Sequence, residues 1–536
     1  MKRRLPVGIQ DFAKIREGGC IYVDKTVCIH RLISSSEGAF FLSRPRRFGK
    51  SLLCSTMEAI FGARRELFGE IAGFPALAIN SLEWEWEKHP VIRLDLNMGN
   101  YNKNIDYLGS TLSNILNNVA RSYNMELRGK YASEQFTNLI MDMHERFRKK
   151  VVVIVDEYDK PLLDTMTDSS LHKIIRDELK GFYGTLKPSD KYLRFVFLTG
   201  VTKFSHISIF SDLNHLNDLT LDSRYADICG ITQEELESNF YPEIESVLKE
   251  TGKSREDYME DLRRFYNGYR FSEKPLKVYN PFGLLKHFDQ NGKFSSYWYE
   301  TGTPTFLIKL IINQKLNILN LSNMQVEDND FRKYDIENMR AEPLLYQSGY
   351  LTVKDYDNES NLYTLDFPNI EVRSCFAGSL VDQYLQSSSG NTETAGSMNI
   401  RLLQALLKGN VEDAINALRR FFAAIPYDII NASENYYETA VHLIFTMLGL
   451  NCRSEVRIAA GRIDTLVETK NYVYCFEFKL DKTATERSSE EALAQIDTKE
   501  YLLPWEGTGK KLFKIGVTFD REKRTIGSWK AAEHLY

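Results

Sequence analysis

Ala39-Phe40-Phe41-Leu42-Ser43-Arg44-Pro45-Arg46-Arg47-Phe48-Gly49-Lys50-Ser51 decides the fold of this chain, because an apolar strand runs directly into a basic, glycine-containing turn and then into the helical pattern of Leu52 to Phe61. A loop that opens a helix presents unpaired backbone N–H groups and the positive end of the helix dipole, which together attract phosphate. Gly49 supplies the close approach, Lys50 a cation for the β and γ phosphates, and Ser51 a hydroxyl for Mg²⁺. Arg44 stands where the phosphate-loop pattern usually has its first glycine. The expected nucleotide-contacting set is therefore Arg44, Arg46, Arg47, Phe48, Gly49, Lys50, Ser51 and Leu52, with the three guanidinium groups as added phosphate donors.

The second half of such a site is a buried strand ending in acid. Val151-Val152-Val153-Ile154-Val155-Asp156-Glu157 has that form. Asp156 is expected to hold Mg²⁺ together with Ser51, and Glu157 to orient the attacking water. Alone, a Gly-Lys-Ser is an ordinary surface turn and an Asp-Glu a helix cap; in order, each at the end of an apolar strand, they read as one ATP site. Val91 to Leu96 falls between the two motifs, and Arg194 to Leu198 runs into Thr199, expected to sense the γ-phosphate. Amphipathic stretches around 104–124, 133–149 and 170–186 are long enough for crossover helices. The segment Val7 to Phe12 is the expected neighbour of the adenine ring.

Working outward, residues 226–290 read as a helical lid with aromatic loops such as Phe265-Tyr266-Asn267-Gly268-Tyr269. Residues 291–424 read as a mainly helical connector with a β-rich patch at Tyr350 to Phe367 and an exposed hinge at Ser387 to Thr392. Residues 425–536 form a last unit. It contains an apolar helical stretch from Thr439 to Leu450, a strand through Glu455-Val456-Arg457, and a hairpin. The hairpin is Gly461-Arg462-Ile463-Asp464-Thr465-Leu466-Val467, a turn at Lys470-Asn471, then Tyr472-Val473-Tyr474-Cys475-Phe476-Glu477-Phe478-Lys479. Strand alternation puts Glu477 and Lys479 on one face and Phe478 on the other. Asp464 and Glu477 are expected to bind Mg²⁺ while Lys479 activates a water, which is hydrolytic machinery for a phosphodiester. Taken alone, charges on strands are commonly solvated or protect a sheet edge.

These residues resemble two known families. The N-terminal half resembles the bacterial AAA-ATPase-like family that carries a nuclease-superfamily domain. The resemblance rests on the arginine-rich loop and on Leu5-Pro6-Val7-Gly8-Ile9, Tyr22-Val23-Asp24-Lys25-Thr26, Leu198-Thr199-Gly200-Val201-Thr202-Lys203-Phe204 and Tyr279-Asn280-Pro281-Phe282. That family commonly has an arginine in place of the first glycine. The C-terminal segment resembles the PD-(D/E)XK nuclease superfamily, and the resemblance adds Glu438 on the preceding helix and Gln495 on the following one as catalytic residues. The implied fold class is α/β multidomain. A P-loop ATPase parallel sheet (1–225) with helical lid and connector is followed by a restriction-endonuclease-like α/β domain.

Composition bounds the function. The 536 residues are 43% apolar, 12% aromatic and 26% charged, a globular balance large enough for several cores. The net charge of -5 gives no global pull on nucleic acid, so a polynucleotide must be gripped locally. Lys510, Lys511, Lys514, Arg521, Lys523 and Arg524 are candidates for that grip, although a solvated face is the commoner role of such a set. Seven scattered cysteines without a CxxC pair argue against a disulfide framework, and nine histidines show no zinc spacing. No run approaches the roughly 18 apolar residues of a membrane span, and no secretory core follows the basic start. The expected location is the cytoplasm, with ATP and nucleic acid, DNA first, as partners, no membrane, and room for an oligomer. The leading expectation is an ATPase that controls a Mg²⁺-dependent nuclease. The alternative is a nucleotide-dependent switch whose nuclease-like domain binds nucleic acid or a partner without cutting. A metabolic kinase ranks last, since it leaves the hairpin unexplained.

Overall fold

The computed structural model describes residues 3–102, 106–166, 168–203, 216–299, 307–308, 310–311, 314, 321, 323–327, 341–386, 395–424, 434–448, 450–458 and 461–534. The chain divides into two compact units, residues 1–301 with 323–369 and residues 302–322 with 370–536. The stretch 291–424, read from sequence as one connector, is shared between them. Ser387 to Thr392 lies outside the described residues. Among the described residues, no helix is long and apolar enough to cross a membrane.

In the first unit, β1 (Ala39–Ser43), β2 (Val91–Asp95), β3 (Val151–Asp156), β4 (Leu193–Gly200) and β5 (Asn217–Asp218) form a parallel sheet in the order β2-β3-β4-β1-β5. Every residue of β1 and β3 is buried, as expected of a parallel sheet covered on both faces. The associated helices are α1 (Phe12–Glu17), α2 (Thr26–Ile33), α3 (Lys50–Phe61), α4 (Tyr107–Ser122), α5 (Ala132–Phe147), α6 (Lys160–Thr165) and α7 (Ser169–Gly184). The crossover helices obey the expected periodicity: α4 buries Leu108, Leu112, Ile115 and Leu116 at spacings of three and four. In space it is β4 that separates the strands of the two phosphate-site motifs. The strand 91–95, which falls between them in sequence, pairs on the far side of β3.

The stretch read as a lid folds into α8 (Gln233–Asn239), α9 (Tyr241–Thr251), α10 (Arg255–Tyr266) and α11 (Pro281–Asp289). Thr232 and Glu235 form a capping box at the start of α8, satisfying two otherwise orphaned N–H donors. Leu236, Phe240, Ile244, Tyr258, Leu262 and Phe288 make its core. Inside it sits His287, fully buried, 2.8 Å from the Tyr258 hydroxyl and 3.1 Å from the Lys293 carbonyl. A carbonyl can only accept, so Nδ1–H donates to Lys293; in the neutral ring this leaves Nε2 to accept from the Tyr258 hydroxyl. Burial pushes this histidine down to about 4.

The pH consequence has a definite sign. A depressed folded value means that the unfolded chain takes the proton first, so the contribution is complete above about 6.5 and is lost as pH falls toward 4. The loss amounts to about 3 kcal/mol at roughly 1.4 kcal/mol per unit. Asp156 and Asp159, both raised to about 6 by burial, act in the opposite sense in this window. The expected result is therefore a relative one: in denaturant melts at pH 7.5 and 5, wild type loses stability relative to His287→Asn as the pH falls. Equal pH slopes in the two proteins would rule out this histidine as the source.

A three-stranded antiparallel patch, β6 (Met324–Glu327), β7 (Thr352–Asp357) and β8 (Leu362–Asp366) in the order β6-β8-β7, completes the first unit and contains the expected Tyr350–Phe367 strands. The second unit is built on β9 (Asn451–Ile458), β10 (Gly461–Glu468), β11 (Tyr472–Asp481), β12 (Lys511–Asp520) and β13 (Thr525–His534), in the order β13-β12-β11-β10-β9. Only β11 and β12 run parallel, joined across the helix Glu486–Thr498. The helix Glu434–Met447 packs on the sheet through Tyr437, whose ring stacks 4.3 Å from Phe519, and Phe445, 5.1 Å from Phe476.

Candidate functional site

The phosphate loop runs from the carboxyl end of β1 to the N-terminus of α3. Gly49 caps the helix at φ 94°, a left-handed conformation that a side chain would strain. Arg47 also lies at φ 63°, so the turn carries backbone strain of the kind found at ligand sites. Lys50 is buried, with Nζ 3.3 Å from the Pro45 carbonyl and 3.3 Å from a Glu157 carboxylate oxygen. The lysine expected at the phosphates and the acid expected to orient water thus hold each other. Glu157 is itself at φ 51°, at the sharp turn that follows β3.

Asp156 is fully buried, and neither carboxylate oxygen accepts a hydrogen bond from a described residue. Burial raises it to about 6, the nearby Ser51 hydroxyl partly offsets this, and Glu157 raises it further. An orphaned buried carboxylate beside a hydroxyl at a helix N-terminus is the donor set that Mg²⁺ takes together with phosphate oxygens and water. The residues present fit that ion.

Three expected contacts have other partners. The Arg44 guanidinium is buried and donates to the carbonyls of Ser43, Thr220 and Tyr225, 4.3 Å above the Phe271 ring. Its two terminal nitrogens are thereby held within the fold, while the buried Nε has no hydrogen-bond partner among the described residues. The Thr199 hydroxyl donates to the Leu42 carbonyl at 2.8 Å, across the β4–β1 ladder, so its one proton is engaged there. Phe48 is buried against Tyr269, with ring centroids 4.7 Å apart, which engages its side chain in the core. Arg46 and Arg47 are exposed, and their guanidinium groups remain candidates.

An apolar pocket opens beside the loop, lined by Pro6, Tyr22, Val23, Gly49, Leu52 and Cys229 among others. Residues 7–12, expected there, contribute none of its lining; Phe12 packs instead on Phe68 and Tyr22. Two acids escaped the sequence reading. Asp95 ends β2 in register with Asp156. Asp159 is buried and accepts from the N–H groups of Val201 and Thr202 and from the Thr202 hydroxyl at 2.6 Å, binding the turn after β3 to the segment after β4. The readable signal was Asp159 three residues beyond Asp156, facing the Gly-Val-Thr that follows Thr199.

In the second unit, the β10–β11 register sets Thr465 opposite Phe476, and the next step along leads to Asp464 and Glu477. Residues opposite one another share a face. Both carboxylates are buried, and both raise the Cys475 thiol beyond the effect of its burial. An Asp464 oxygen accepts from the Phe478 N–H at 2.9 Å. Lys479 Nζ donates to the Gln495 side-chain carbonyl at 2.9 Å, while the Gln495 amide donates to Glu477. Gln495 therefore bridges the acid and the base. The helix Glu486–Thr498 can reach them because Gly516, beside Glu477 on β12, has no side chain: a Cβ there would collide with the Ser489 carbonyl and the Leu493 N–H. Two carboxylates on one face suit Mg²⁺, which keeps much of its water shell.

Glu438 lies on the helix Glu434–Met447, and its side chain is outside the described residues. Tyr501, missed from sequence, sits over Gly461 beside this cluster, its phenol raised by burial and by Glu477 and Asp464, with Gln495 lowering it. The basic set is not a free surface throughout: Lys510 pairs with Glu468, Lys511 with Glu533 and Lys514 with Asp497.

Residues 6–210 match a family model described as predicted AAA-ATPase, and residues 432–529 match one described as the PD-(D/E)XK nuclease superfamily. The chain is also 34% identical over 534 residues, 98% of each chain, to an "Uncharacterized protein in vnfD 5'region" of Azotobacter chroococcum mcd 1. No solved structure matches it.

Proposed function

Because this chain belongs to the AAA-ATPase-like family with a C-terminal PD-(D/E)XK nuclease superfamily domain, we propose that it hydrolyses ATP and uses the cycle to control Mg²⁺-dependent cleavage of DNA in the cytoplasm. In the first site, the loop N–H groups and Lys50 hold the β and γ phosphates, and Lys50 exchanges Glu157 for phosphate when it does so. Glu157, released, accepts the proton of the attacking water. Ser51 and Asp156 would hold the Mg²⁺ that neutralises phosphate charge. The apolar pocket is suited to a flat base.

In the second site Asp464 and Glu477 would hold Mg²⁺, which polarises the scissile phosphate. Lys479 directs its N–H at the attacking water, and Gln495 fixes Glu477 and Lys479 relative to each other. The observation that carries the cutting reading over a non-cutting switch is this Gln495 bridge: acid and base are assembled on one face, with their side chains locked, as catalysis requires.

The test is incubation of wild type and Glu157→Gln with linear and circular DNA in Mg²⁺, with and without ATP. Wild type is expected to cut at an ATP-dependent rate. Glu157→Gln is expected to bind ATP but hydrolyse it about 10²-fold more slowly, the usual worth of a positioned base, and to lose the ATP dependence of cutting. Failure of wild type to cut any substrate would favour the switch.

A further inference from the structure

We propose that Arg47 and Phe282 form a two-position latch on the phosphate loop: the guanidinium either rests on the Phe282 ring or, leaving it, donates to the phosphates of a nucleoside triphosphate. The inference rests on reading residues 44–51 as a phosphate loop and adds to it a way for the helical subdomain to read the nucleotide state.

Each arginine of the loop is placed differently. Arg44 is buried, with its two terminal nitrogens donating to three carbonyls. Arg46 lies in a turn pinned from outside, its carbonyl accepting from Trp298 Nε1 at 2.9 Å. Arg47 follows in a left-handed conformation, and its side chain is exposed. Its guanidinium carbon sits 4.0 Å from the centroid of Phe282. No described residue gives it a carboxylate or carbonyl partner.

Phe282 is equally well placed. It is the second residue of α11, directed by the Asn280 cap, whose side chain accepts from the Gly283 N–H at 2.8 Å, and by Pro281 at the first helical position. The opposite side of α11 is fixed in the subdomain core by Leu284 and Phe288. On the ring the guanidinium has no hydrogen-bond acceptor among the described residues, whereas a phosphate accepts from its N–H edges in pairs through charge-assisted bonds. A cation–π contact at an exposed site is the weaker of the two. A triphosphate therefore draws Arg47 off the ring. The contacts of Phe48 with Tyr269 and Phe271 carry no charge and are buried, so they hold the subdomain on the loop throughout. Of these attachments, Arg47 on Phe282 is the exchangeable one.

The test is calorimetric binding of Mg·AMP-PNP to the full chain carrying Phe282→Leu, Phe282→Tyr, Arg47→Ala, the Arg47→Ala/Phe282→Leu pair, or Lys50→Ala. Phe282→Leu, which keeps bulk and removes the ring, is expected to tighten binding about two- to five-fold, the worth of an exposed cation–π contact. Phe282→Tyr, which keeps an aromatic face, stays near wild type. Arg47→Ala weakens binding, and in its background Phe282→Leu has no further effect, which a merely structural role for the ring would not produce. The latch is overturned if Phe282→Leu leaves affinity unchanged or weakens it, or if it tightens binding equally without Arg47. If Lys50→Ala binds as well as wild type, or wild type binds nothing, the phosphate-loop reading itself falls and takes the latch with it. Loss of binding in Lys50→Ala with no response to Phe282→Leu removes the latch alone.

Discussion

Lys50→Ala is expected to weaken ATP binding about a hundred-fold, with hydrolysis falling below detection. Hydrogen bonds to charged groups contribute about 1.5–3 kcal/mol each, and here the cation is desolvated before the nucleotide arrives, so the upper end applies. The residue is 3% exposed and its Nζ already lies between the Pro45 carbonyl and Glu157, a position from which small movement reaches a phosphate in the loop. The substitution also leaves Glu157 without its cation. Calorimetry with ATP measures the first effect, and a thermal melt separates it from misfolding: an intact melt with wild-type affinity would remove Lys50 from the phosphate site. Asp156→Ala should behave differently, weakening binding only when Mg²⁺ is present, because Asp156 would contact the ion and not the nucleotide.

The second large effect is on cleavage. Asp464→Ala or Glu477→Ala is expected to reduce nuclease activity at least about 10³-fold, since an ion that stabilises several kcal/mol of transition-state charge is lost with its ligand. ATP hydrolysis stays at the wild-type rate, its residues being in the other unit. Lys479→Ala should cost about 10²-fold to 10³-fold while sparing metal affinity, because it removes a donor near the developing charge and no ligand. Asp464 also accepts from the Phe478 N–H, so alanine there orphans a buried donor; Asp464→Asn keeps an acceptor and removes the charge, and serves as the variant that folds. Metal titration by calorimetry followed by a cleavage assay on the same samples distinguishes the roles. Equal cutting by all of these variants would move the active site away from the hairpin.

The parts of this protein that local chemistry governs were readable from its residues. The strand at 39–43 and its loop, the apolar run ending in Asp156, the crossover helices, and the hairpin that carries Asp464, Glu477 and Lys479 each arise from periodicity and turn preference within a few residues of chain. The type and spacing of reactive groups followed directly. Their partners did not follow, because a partner is chosen by packing between distant segments. Arg44 looked like a phosphate donor until the Thr220 and Tyr225 carbonyls, some 180 residues on, closed around it. The same holds for Thr199, taken by Leu42 of the neighbouring strand, and for β4, which inserts between the two motif strands. Lys510, Lys511 and Lys514 read as free cations until folding set a carboxylate beside each. The amino-acid sequence determined which groups could do chemistry. Only the tertiary structure decided which were committed elsewhere, because a buried donor or charge must be satisfied by whatever segment the fold brings to it.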